Sequence, residues 1–168
     1  MICIFIDADA CPVRDETYIV AARHGVKTYV VSNRLLAAPD SPLIERVVVT
    51  EGMDEADNWI AERVKAHDVV ISSDIPLSAR CVAKGACVLN PNGRILDENA
   101  IGMALAMRNL MEDLRSTGTM MGGARSFTKK DRSTFLSALD TAVVRGKKQA
   151  AHSILAARLA APPGGRDV

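Results

Sequence analysis

Five short apolar runs punctuate the first ninety residues, and the stretches between them carry helical rather than strand periodicity. Ile2-Cys3-Ile4-Phe5-Ile6 is continuous, as a strand covered on both faces would be. Pro12 opens a helical stretch to His24, with Gly25 as its stop. Lys27 to Val31 is a second β-rich run, and Asn33 to Pro42, with two prolines, reads as a loop. Arg46 to Val49 is a weaker third strand, and Asp54 to Ala66 a helix. Asp68 to Ser72 is a fourth strand, and Pro76 to Lys84 a helix closed by Gly85. Ala86 to Leu89 is a fifth strand, ended by the Asn-Pro-Asn-Gly turn at 90–93. Alternation at this spacing predicts βαβ units, an α/β fold and a mostly parallel sheet. The ligand site of such a sheet lies beyond the carboxyl ends of its strands.

The second half changes character. Glu98 to Arg115 reads as a long helix with Ala100, Met103, Ala104, Met107, Leu110, Met111 and Leu114 on one stripe, expected to face the core. Residues 116–130 carry Gly118, Gly122 and Gly123 and read as a mobile loop. A further helix spans Arg132 to Val144, with Phe135, Leu136, Leu139 and Val143 on one face. The chain therefore divides into a domain over 1–145 and a basic, Ala-rich tail over 146–168. That tail is expected to be a marginal helix from Lys147 to Ala160 and disordered from Pro162 to Val168.

At 168 residues and 18.0 kDa, with 48% apolar and 24% charged residues, the chain suits one folded domain and excludes wholesale disorder. Its net charge of +1 conceals a split. Residues 1–114 hold 11 Lys/Arg against 17 Asp/Glu, net −6; residues 115–168 hold 10 against 3, net +7. Such asymmetry suggests a polyanionic partner or a tail. No apolar run is long enough for a membrane span, and the start lacks the pattern of a signal peptide, so a cytoplasmic location is expected. Cys3, Cys11, Cys81 and Cys87 form no CxxC pair and read as reduced thiols. His24, His67 and His152 read as surface residues. Neither GxGxxG nor GxxxxGK[ST] is present, so no nucleotide cofactor is expected.

The acidic residues fall in informative places. Asp7 and Asp9 follow the first strand, two apart, so both project at its carboxyl edge if extended geometry persists. The competing reading is that one caps the next helix. On the stripe Met53, Ala56, Asp57, Ile60, Ala61, Val64, only Asp57 is polar. A carboxylate there is costly unless hydrogen-bonded, paired or metal-bound. Asp54, one turn earlier, shares that face or serves as an N-cap. Asp74 ends the fourth strand before Pro76, where a cap is equally available. Acids gathered at strand ends repel one another unless a divalent cation neutralises them, and hard oxygen donors select Mg²⁺ or Mn²⁺ over zinc.

Asp7-Ala8-Asp9-Ala10-Cys11-Pro12-Val13 resembles the opening motif of the YaiI/YqxD family of bacterial proteins. The resemblance continues through Gly52 to Ile60, Asp74-Ile75-Pro76-Leu77, Leu89-Asn90-Pro91-Asn92-Gly93 and Arg108 to Arg115, covering roughly residues 1–145. The family is grouped with the PIN-like nucleases. That resemblance implies a Rossmannoid three-layer α/β/α sandwich with an acidic metal site at the strand ends. Asp7 would match the acid after the first strand, Asp57 the acid on the following helix, and Ser72-Ser73-Asp74 the [Ser/Thr]-x-Asp element. The family reads Thr-Gly-Gly-Pro in its late loop, whereas this chain has Met121-Gly122-Gly123-Ala124.

The resulting expectation is a nuclease using Mg²⁺ or Mn²⁺, with RNA a better candidate partner than DNA. Asp7 and Asp74 are assigned to catalysis; Asp7, Asp9, Asp57 and Asp74, with Asp54 optional, to the metal. Ser72, Ser73, Asn90, Arg108, Arg115, Arg125, Lys129, Lys130 and Arg132 are assigned to the substrate. The alternatives are a non-catalytic RNA- or protein-binding module and a small-molecule phosphoesterase. A homo-oligomer is left open, and no membrane association is expected.

Overall fold

A computed structural model describes residues 1–118 and 126–161. Its sheet comprises β1 (Cys3–Asp7), β2 (Lys27–Ser32), β3 (Ile44–Val48), β4 (Val69–Ile71) and β5 (Cys87–Leu89), in the order β3-β2-β1-β4-β5. Every strand pairing is parallel, with Phe5 beside Tyr29 on one side and Val70 on the other. An isolated bridge from Leu89 to Ile95 is antiparallel.

The helices are α1 (Arg14–His24), α2 (Glu55–Arg63), α3 (Ile75–Ala83), α4 (Glu98–Ser116) and α5 (Lys129–Ala160). Strand side chains alternate between two cores because the side-chain period of a strand is two. Ile4, Ile6, Val30 and Ile71 pack with Val20 of α1 and with Phe135, Leu139 and Val143 of α5. Phe5, Val31, Val70 and Val88 pack with Ile60 of α2, Leu77 and Cys81 of α3, and Ile101 of α4. Helices thus cover both faces, the three-layer α/β/α arrangement expected. All four cysteines are free. No helix among the described residues is long and apolar enough to cross a membrane.

Two expectations for the second half need correction. The stripe on α4 is not core: only Ile101 is buried, while Met103, Met107 and Leu110 stand exposed. The helix reaches the core through its first turns, where Ala100 and Ile101 join the cluster around α3. Nor does a break separate the last helix from the tail, since α5 is one helix of 32 residues. It starts at a capping box, in which Thr128 and Asp131 exchange hydrogen bonds, and it crosses residue 146 uninterrupted. Gly146 serves close packing there: a Cβ would lie 2.7 Å from the His67 carbonyl oxygen and 3.2 Å from Ile2 Cδ1. Beyond it, Lys147 Nζ donates to the His24 carbonyl, and His67 Nε2 lies 3.0 Å from Ser153 Oγ. The expected frayed end, 162–168, and residues 119–125 of the expected glycine-rich loop lie outside the described residues.

Candidate active site

Strand order reverses beside β1. The chain leaves β1 for β2 on one side, and β4 later pairs with the other side. A crevice at such a switch point is where open α/β sheets bind ligands. Here it is a cavity of about 290 Å³, lined by Asp7, Ala10, Cys11, Ile71, Ser72, Ser73, Asp74 and Pro91. At roughly 30 Å³ per water, it has room for on the order of ten waters.

Asp7 and Asp74 line this cavity, and Asp57 lies within their electrostatic field. Asp7 is the last residue of β1, and Ser72 Oγ donates to its Oδ2 at 2.8 Å. The same hydroxyl oxygen accepts the Asp74 N–H at 3.0 Å, so one serine holds the first strand's acid against the fourth strand's exit. Asp74 caps α3, its Oδ1 accepting the Leu77 N–H at 2.8 Å. Asp57 comes from α2, half-buried. Aromatic packing holds that helix down, with Trp59 5.6 Å from the Tyr29 ring and 6.3 Å from Phe5. Arg80 of α3 donates to Asn58 Oδ1 at 2.8 Å and turns α2 toward α3.

The acids feel one another. Burial is the main cause that pushes the Asp57 carboxyl up to about 6; Asp74, Asp7 and Asp54 add to it, and Arg80 opposes. Burial also raises Asp7, against the Ser72 hydrogen bond and with help from Asp74 and Asp9. Capping does not account for Asp7 or Asp9, because α1 has Val13 at its N-cap and no side-chain cap. Asp9 instead accepts the Asn33 N–H with both oxygens, at 3.3 and 3.2 Å, joining the exits of β1 and β2. Asp54 occupies the N-cap of α2 in left-handed backbone, φ 68°, and its side chain makes no cap bond.

The donors are carboxylates and a hydroxyl, suited to a hard cation. Among the described residues, no three His, Cys, Asp or Glu side chains are grouped closely enough to hold a metal by themselves.

Of the basic residues, Lys129 and Lys130 stand exposed on the first turn of α5. Arg132 brings that turn to the carboxyl edge: it donates to the Pro12 carbonyl at 2.8 Å and to Glu16 at 2.9 Å, and lies over the Phe127 ring. Arg132 is thereby an anchor already engaged. Arg108 and Arg115 lie on α4 and line a separate groove with Met107 and Met111. Asn90 shapes its own turn, its Oδ1 accepting the N–H groups of Asn92 and Arg94 at 3.0 Å. Arg125 lies outside the described residues.

Sequence reasoning missed Arg80 beside Asp57 and Cys11 in the cavity wall. Burial pushes the Cys11 thiol up to about 11, so it is a protonated wall rather than a nucleophile. Also missed was the structural role of buried Asp68, which accepts the Cys3 N–H and the Lys65 N–H at 2.8 Å each. No spacing rule marks Arg80 or Asp68, because both depend on contacts made only after packing.

Fold and site together define a doubly wound α/β protein with an acidic crevice at its switch point. The chain belongs to the YaiI/YqxD family: the family model described as "Uncharacterized BCR, YaiI/YqxD family" matches residues 5–145. It is 76% identical over 153 residues to a "UPF0178 protein" of Gluconacetobacter diazotrophicus, covering 91% of this chain and 99% of the relative. A Bradyrhizobium relative of the same name is 54% identical, covering 91% of this chain and 93% of its own. One from Nitrobacter winogradskyi is 56% identical over 148 residues, covering 88% and 94%. No solved structure matches the chain significantly.

Proposed function

We propose that this chain is a divalent-cation-dependent nuclease that hydrolyses phosphodiester bonds in RNA at the crevice between β1 and β4. The observation that carries this reading is the cavity at the switch point. Ser72 locks two acids from different strands into its wall, and a third acid from α2 shares their field. Such a cluster is stabilised by a cation. Asp7, Asp9, Asp57 and Asp74, with Asp54 optional, would hold Mg²⁺ or Mn²⁺. The ion supplies a Lewis acid for the phosphate oxygens and an acidified water. Ser72 fixes the orientation of Asp7, and the cap at Leu77 fixes that of Asp74. Lys129 and Lys130 supply exposed positive charge at the same edge for the polyanion backbone.

The test is cleavage of single- and double-stranded RNA and DNA by purified protein with Mn²⁺, Mg²⁺ or chelator, beside Asp7→Asn and Asp74→Asn. Asparagine keeps a cap and an acceptor at these positions, so the fold is retained. The expected result is cation-dependent RNA cleavage lost in both variants. Cleavage that survives both substitutions would sink the proposal. Binding without cleavage would favour a non-catalytic module, and turnover of small phosphoesters alone a phosphoesterase.

A further inference from the structure

We infer that a second cavity, at the amino end of the sheet on its α2 face, binds a purine nucleotide: the base lies on the rings of Tyr29 and Trp59, its amino group donates to Glu45, and its phosphate meets Lys65. The cavity measures about 560 Å³, within the range of small-molecule sites. It shares no lining residue with the crevice, which lies at the other end of β1. Strand register builds its floor. Phe5, Tyr29 and Glu45 are paired neighbours on β1, β2 and β3, so all three side chains leave the same face of the sheet. Trp59 of α2 closes over them, with Tyr29 and Phe5 themselves stacked at 5.2 Å. Phe5 is buried, but Tyr29 and Trp59 are only half-buried, and both line the cavity.

The polar groups of the cavity select the occupant. Most are already engaged. Asp68 accepts two backbone N–H groups. Arg63 lies 4.3 Å over the Trp59 ring, donates to the Trp59 carbonyl and pairs with Glu62 at 3.5 Å. Lys27 holds Oε2 of Glu45 at 2.9 Å and lies 5.6 Å from the centre of the Tyr29 ring. Two groups remain: Oε1 of Glu45, an acceptor, and the exposed ammonium of Lys65, neither of which has a hydrogen bond or ion pair among the described residues. A ligand cation would find the rings attended by Arg63 and Lys27 and be repelled by them. An alkyl chain would leave Glu45 and Lys65 unused. A purine brings a flat ring to stack on the aromatic side chains. Its exocyclic amino group is a donor for a carboxylate that can only accept, and its phosphate is a partner for Lys65. Uracil has a smaller ring and no amino group.

Trp59 is the only tryptophan of the chain, so its fluorescence reports on this cavity. The test is titration of AMP, GMP and UMP into the full chain with chelator present, excited where the nucleotides do not absorb. AMP and GMP are expected to quench saturably with a dissociation constant below about 1 mM, and UMP to bind at least about tenfold more weakly. Tyr29→Leu, checked for a native circular dichroism spectrum, is expected to weaken AMP binding at least about tenfold. Glu45→Ala, at an exposed position on the edge strand, is expected to erase the preference over UMP. An oligoadenylate that binds more tightly than AMP marks an RNA strand as the source of the base, and equal affinity per base marks the free nucleotide. No saturable quenching, wild type that binds UMP as well as AMP, or binding that both variants leave unchanged each overturns the inference. The chelator keeps the crevice cation-free, so this result stands apart from the outcome of the cleavage assays.

Discussion

Asp57 is the residue on which the site's electrostatics turn. Its carboxyl titrates near 6 in the folded protein against an ordinary 3.8. Between those values the folded state keeps a proton that the unfolded chain has lost, so stability falls as pH rises through this window. The cost is absent below about pH 4 and complete above about pH 6. A shift of this size corresponds to about 3 kcal/mol at full burial, which solvent screening at a partly exposed group reduces to about 1 kcal/mol. Asp57→Asn is therefore expected to stabilise the cation-free protein by about 1 kcal/mol at neutral pH and not at all near pH 4, read by urea denaturation at both. Ser72→Ala removes a donor from Asp7 and an acceptor from the Asp74 N–H, and is expected to cost about 1–3 kcal/mol while lowering cleavage. An unchanged urea midpoint would show that Ser72 does not lock the crevice. Asp57 was legible in the sequence because it interrupts an apolar stripe. Arg80 was not, because its meeting with Asp57 exists only once α2 and α3 have packed.

At the scale of elements, strands and most helices followed from apolar runs and stop residues, since burial on both faces leaves a plain record in a parallel sheet. The failures lie where one pattern has two causes. The chain read as dividing at residue 146, yet Gly146 is the place where α5 lies against His67 and Ile2. Gly146→Ala is expected to destabilise: the roughly 1 kcal/mol of helix propensity gained is outweighed by overpacking that costs about 1–3 kcal/mol. A higher melting temperature for this variant would contradict the packing role. The apolar stripe of α4 read as core because period alone does not distinguish a face turned inward from one turned to solvent. Asp68 bridges the start of β1 to the end of α2, so Asp68→Ala leaves two backbone N–H groups unpaired. It is expected to lower stability by about 2–4 kcal/mol, measured by chemical denaturation.

For the molecule as a whole, the near-neutral charge conceals an acidic front half and a basic rear half. The fold brings part of each to one edge: Asp7 and Asp74 in the crevice with Asp57 of α2 in their field, and Lys129 and Lys130 on the turn that Arg132 anchors to Pro12. RNA binding through these lysines is expected to weaken steeply as salt rises. Binding that is flat between low and physiological salt would remove them from the interface. The resemblance read in the motifs extended to the family and the layered fold; the chemistry of the crevice rests on the convergence of its acids. Calorimetric titration of Mn²⁺ into the wild-type chain and into Asp7→Asn, Asp57→Asn, Asp74→Asn and the remote control Asp40→Asn tests that convergence most directly. One saturable site is expected, weakened about tenfold or more by each of the three crevice substitutions and unchanged by the control. No saturable binding, or binding that the three crevice variants retain in full, would contradict the account.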